Sequence, residues 1–82
     1  MMETVSIEQK QAAERFFNEL ATLFGPDAVW DEAWGHMARA KSIEFCTMVF
    51  DAAVVHLAGT NHGDWLKSDY EYYCKRIKGE VE

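Results

Sequence analysis

The sequence predicts an all-α fold, a small four-helix bundle forming a single domain over residues 1–82, which a second copy of the chain could complete by homodimerisation. Three observations lead there. Apolar residues recur at spacings of three and four through four segments, and no stretch sustains the period-two alternation of a strand. Strong breakers gather at Gly25-Pro26, from Gly59 to Gly63, and at Gly79, where they punctuate helices. At 82 residues, 49% hydrophobic and 13% aromatic, the chain is long enough for one core and too short for two.

The first helix is expected at about 7–24, opened by a capping box in which the Ser6 hydroxyl accepts from the amide of Gln9 and the Gln9 side chain reaches back. Ala12, Ala13, Phe16, Phe17, Leu20, Leu23 and Phe24 fall on one arc, with Glu8, Gln11, Glu14, Arg15, Asn18, Glu19 and Thr22 opposite. Gly25 and Pro26 end it. The second helix, at about 27–40 with Asp27 or Pro26 as its start, puts Val29, Trp30, Ala33, Trp34, Met37 and Ala40 on one face. Ser42 caps the third, at about 43–58, which is apolar nearly all round except for a strip of Glu44, Thr47 and Asp51. Such a helix needs cover on several sides, so it is expected at the centre. The fourth, at about 64–78, starts somewhere between Asn61 and Ser68 and is closed by Gly79. Its core stripe is Leu66, Tyr70, Tyr73 and Ile77, with Cys74 at the edge.

Fourteen acids against eight Lys and Arg give a net charge of −6, which repels a phosphate backbone, so direct nucleic-acid binding is not expected. No stretch approaches the ~18 apolar residues of a membrane span, and Met1 to Ser6 carry neither basic nor apolar leader character, so the expectation is a cytoplasmic protein away from the membrane. Cys46 and Cys74 are too few for a secreted disulfide framework and read as reduced thiols.

His56 falls on the same side of the third helix as Phe45, Val49 and Ala52. It reads as a core histidine bonded to a neighbouring helix, or as a pH-sensitive or ligand-touching group. Glu32 with His36, and His56, His62 and Asp64, have ligand chemistry. Without HExxH, paired CxxC or an EF-hand loop they read as solvated side chains, and neither metal nor cofactor is expected. The glycines form no phosphate-cradling loop and there is no GxSxG elbow. Glu44 and Asp51 could serve as acid and base in a cleft, but a solvated strip is the simpler reading.

The aromatic surplus is more informative. Trp65 and Tyr72 lie seven residues apart on a face of the fourth helix distinct from its core stripe, flanked by Asp69 and Arg76, and Trp30 and Trp34 form a similar pair at i, i+4. Aromatic rings rimmed by charges have the composition of a protein-binding hot spot, although a bundle this small could use all four to fill its own core. The leading expectation is a small acidic protein, not an enzyme, that binds a larger protein complex with a basic surface and inhibits or regulates it. Trp65, Tyr72, Asp69, Arg76, Glu44, Asp51 and Trp34 are the candidate contacts. In size, acidity and absence of catalytic motifs the chain is similar to small inhibitors of phages and mobile elements, such as anti-CRISPR or anti-restriction proteins; no particular residue carries that similarity. It implies a nucleic-acid-handling machine as target. The alternatives are a homodimeric structural or accessory subunit and a metal- or small-ligand-binding bundle centred on His56.

Overall fold

The computed structural model describes residues 5–79 as four helices: α1 (Ile7–Phe24), α2 (Pro26–Arg39), α3 (Ile43–Val54) and α4 (Asn61–Ile77). No strand occurs among the described residues, so the fold is an all-α four-helix bundle. Met1 to Thr4, part of the stretch read for a leader, lie outside them.

The capping box forms at α1: Gln9 N–H donates to Ser6 Oγ at 3.1 Å, and Ser6 N–H donates to Gln9 Oε1 at 2.8 Å. Gly25, at φ 86°, closes the helix by donating to Leu20 and Ala21 carbonyls. The same glycine precedes α2, which begins at Pro26, the earlier of the two expected starts, because proline is preorganised for a first helical position whose N–H has no partner anyway. It ends at Arg39, where Ala40 turns extended. Ser42 caps α3 as expected, accepting from Phe45 N–H at 3.1 Å.

One boundary departs from expectation: α3 stops at Val54 instead of 58, while α4 starts at Asn61, the early limit of the expected range. After Val54 the bonds tighten to His56 N–H on Ala53 O and Leu57 N–H on Val54 O. Leu57 thereby drops into the core, fully buried. Thr60 then caps α4: its hydroxyl accepts from Gly63 N–H at 3.3 Å and donates to Leu57 O at 2.7 Å. The turn needs a glycine at 63, since a Cβ there would sit 2.7 Å from Leu57 O.

The buried side chains form one cluster: Phe17 from α1, Val29, Ala33 and Met37 from α2, Cys46, Val49, Ala52 and Ala53 from α3, Leu57, and Leu66 and Tyr73 from α4. α1 and α4 each pack on α2 and α3 but do not touch one another, so the centre is a pair of helices and not α3 alone. The molecule measures 35 × 28 × 16 Å. With only two neighbours each, α1 and α4 keep an uncovered flank. For α1 this means that Phe17 alone is fully buried, while Leu23 and Phe24, expected on its apolar face, remain 70% exposed.

Candidate interaction surface

α2 and α4 run in the same direction side by side, because their contacts advance in step: Asp27 meets His62, Trp30 meets Trp65, and the Met37 and Ala38 region meets Tyr73 and Arg76. Along this seam lie Trp30 and Trp34 from α2. From α4 come Trp65, Asp69, Tyr72 and Arg76, which at ~100° per residue fall within a narrow arc beside the core stripe. Five of the seven candidate contacts, Trp34, Trp65, Asp69, Tyr72 and Arg76, therefore share one surface. Trp34, Trp65 and Tyr72 are 42%, 49% and 45% exposed, so the chain does not use these rings to fill its core.

The seam is internally braced. The Trp30 indole N–H donates to Asp69 Oδ2 at 3.3 Å. Trp30 and Trp65 meet edge to face with centroids 5.6 Å apart. The His62 ring packs at 4.8 Å from Trp65 and 6.0 Å from Trp30, and its Nε2 lies 2.5 Å from Asp27 Oδ1. Tyr72 meets Tyr73 edge to face at 5.1 Å, and the Arg76 guanidinium lies 5.9 Å from the Tyr73 ring centre. Burial raises the Asp69 carboxyl above the usual range, opposed by the Trp30 bond. Burial, then the nearby Asp69 charge, raises the Tyr73 hydroxyl, with Arg76 working against both.

Glu44 and Asp51 lie elsewhere. They line a groove between α1 and α3 together with Lys10, Glu14 and Thr47, and Glu44 accepts from Val5 N–H at 3.2 Å. On their own helix they have no basic companion, but folding brings Lys10 into the same groove. His56 is not a core histidine: α3 ends before it, and it sits half-buried at the rim of a depression shared with Glu14, Arg15, Asn18 and Asp51. Among the described residues no three His, Cys, Asp or Glu side chains converge to hold a metal, and no helix is long and apolar enough to cross a membrane.

Between α3 and α4 the free thiols of Cys46 and Cys74 meet inside the bundle. Burial, then Cys74, pushes the Cys46 thiol up to about 12. Tyr70 and Thr47 share a hydrogen bond at 2.8 Å, and Tyr70 stacks on Phe50 at 4.4 Å. This cluster belongs to the contact between α3 and α4, with Tyr70 and Cys74 partly buried.

Two members of the seam are not among the candidate contacts: Trp30, which the sequence pairs with Trp34 but also places on the α2 apolar face, and His62, which it offers only as a solvated group of ligand chemistry; the Thr60 side chain as a cap, three residues before Gly63, is the signal that draws His62 into α4. An apolar groove between α1 and α3, lined by Ala12, Phe16, His36, Phe45 and Met48, was also unforeseen, because it is left by the incomplete cover of α1.

Fold and surface together define a small acidic helical domain that exposes a braced aromatic seam. Compared with known proteins, the chain matches no family model, and no curated protein or solved structure matches it.

Proposed function

We propose that this chain is an interaction protein, not an enzyme, that binds a larger protein or complex bearing a basic surface and thereby inhibits or regulates it. The α2–α4 seam is its contact face. The observation that carries the reading is the half-exposure of Trp34, Trp65 and Tyr72 on one seam, where ring packing and the Trp30–Asp69 bond hold the neighbouring side chains in place. Rigid aromatic rings lose little rotamer freedom on docking and bury large areas, which is the energetic profile of a hot spot. A net charge of −6 steers the chain towards basic grooves, including those of nucleic-acid-handling machines such as the targets of phage and mobile-element inhibitors.

The test is affinity capture from extract of the source cells with the native chain and with a Trp65→Ala/Tyr72→Ala variant. Both side chains are half exposed, so the variant is expected to fold. The expected result is that a defined partner is retained by the native chain and bound at least ~30-fold more weakly by the variant, as for a hot spot worth about 2 kcal/mol. Equal capture by both overturns the assignment of the seam.

A second reading, a homodimeric accessory subunit, is favoured by the apolar groove beside Phe16 and by the exposed Leu23 and Phe24. Light scattering coupled to size exclusion decides it: a salt-insensitive dimer that Phe16→Glu dissociates supports this reading, and a monomer at all concentrations removes it.

A further inference from the structure

The seam is uneven along its length. Where α2 and α4 begin, Asp27 and Asp31 stand one turn apart on α2, and with the Trp30 indole and the His62 ring they line an open depression of about 410 Å³. Asp69 closes in on Trp30 from the α4 side. At the opposite end, Arg76 and Lys41 border the seam. The N-termini of two parallel helices contribute roughly +0.5 charge each, about +1 together, against three carboxylates. The local field at this end is therefore negative.

We propose that this depression receives an arginine side chain from a basic segment of the partner, the guanidinium packing against the Trp30 ring that lines it and bridging Asp27 and Asp31. The inference rests on the seam being the contact face and says which chemistry it recognises. Four features converge on it. The Trp30 ring lines the depression and is already oriented by its bond to Asp69, so it needs no further ordering on binding. Carboxylates one helical turn apart are ~6 Å apart at their Cβ atoms, a span that the planar fork of donors can bridge. A guanidinium is weakly hydrated and stacks on indole, which favours arginine over lysine at a site combining a ring with carboxylates. Charge complementarity also selects the occupant. A second copy brings another −6 to the contact, and phosphate-bearing surfaces are repelled by the same charge, whereas a basic segment is attracted.

The test is an NMR titration of the isotopically labelled chain with Nα-acetyl-arginine amide and with its neutral isostere, Nα-acetyl-citrulline amide. The arginine probe is expected to move the Trp30 and Trp65 indole N–H signals saturably, with the amides around Asp27 to Asp31. The citrulline probe should bind at least tenfold more weakly. Asp27→Asn/Asp31→Asn should weaken arginine binding at least tenfold. Asp31→Asn alone leaves the Asp27–His62 pair in place and should weaken it about threefold, which keeps the proposal open to refutation should the double variant unfold. Equal binding of both probes, equal movement of signals at Glu44 and Asp51, or unchanged affinity in Asp31→Asn overturns it. Failure here with seam-dependent partner capture intact removes only the arginine site. Arginine binding alongside capture that ignores Trp65→Ala/Tyr72→Ala removes the contact-face reading instead.

Discussion

Asp69 connects the core edge of the bundle to its aromatic surface. Its carboxylate costs something to keep charged where it is half buried, and it earns its place by fixing the Trp30 indole. Asp69→Ala is expected to lower stability by about 1 kcal/mol, because a partly buried N–H loses its acceptor. Asp69→Asn keeps an acceptor oxygen and should stay within about 0.5 kcal/mol of the native chain, which urea unfolding at pH 7 will check. Cys46 makes the complementary alkaline prediction. Its thiol is raised in the folded chain, to about 12 from an unfolded value of 9.0, so the stability it supports is complete below pH 9.0 and is lost as pH rises towards 12. Between those limits the unfolded chain releases a proton that the folded chain keeps, a slope of about 1.4 kcal/mol per pH unit. Tyr70 and Tyr73 add the same sign at higher pH. At Tyr70 the Thr47 bond lowers the value, but burial and the neighbouring thiols outweigh it; at Tyr73 burial dominates. Unfolding measured at pH 8 and pH 10 should show a shallower loss in Cys46→Ala than in the native chain.

At the scale of elements, the turn from Leu57 to Gly63 sets where α4 begins and hence where its aromatic stripe points. Gly63→Ala places a methyl against Leu57 O, a backbone atom that cannot move without disturbing the Thr60 cap. A loss of about 1–3 kcal/mol is expected, readable as a lowered thermal midpoint. α1 offers a contrast between neighbours on one helix. Phe17→Ala should cost about 3–5 kcal/mol because it empties the core, whereas Phe24→Ala should cost under about 1 kcal/mol, since its ring is already 70% exposed. Equal losses at the two positions would mean that the tip of α1 is covered in solution, which would favour the dimer.

For the whole molecule, incomplete cover and charge act together. Four helices in which α1 and α4 have two neighbours each cannot all be covered on every side, so the molecule keeps aromatic and apolar flanks at its surface while its acids maintain a negative field around them. If the seam meets a basic partner, raising salt from 0.05 to 0.5 M should slow association at least tenfold with a much smaller effect on dissociation, because screening acts on encounter and not on the docked rings. Stopped-flow mixing that follows Trp fluorescence will separate the two rates.

By itself the sequence determined what local chemistry can determine. The spacing of apolar residues set four helices and the absence of strands, Ser6 and Ser42 set two helix starts, and Gly25 set a helix end, because a cap depends only on residues three or four positions away. The Trp65, Asp69, Tyr72, Arg76 stripe was legible for the same reason: it lies within one helix. Tertiary structure decided the rest. Whether α3 ran past Val54 depended on Leu57 finding the core and on its carbonyl meeting Thr60, neither of which a helical wheel represents. That Trp34 joins the stripe while Glu44 and Asp51 face Lys10 in another groove follows from which flank of each helix the neighbours leave open, and so does the partial cover of α1. Periodicity says which side of a helix is apolar; the number and position of its neighbours say how much of that side is buried, and what is left over is the surface available for function.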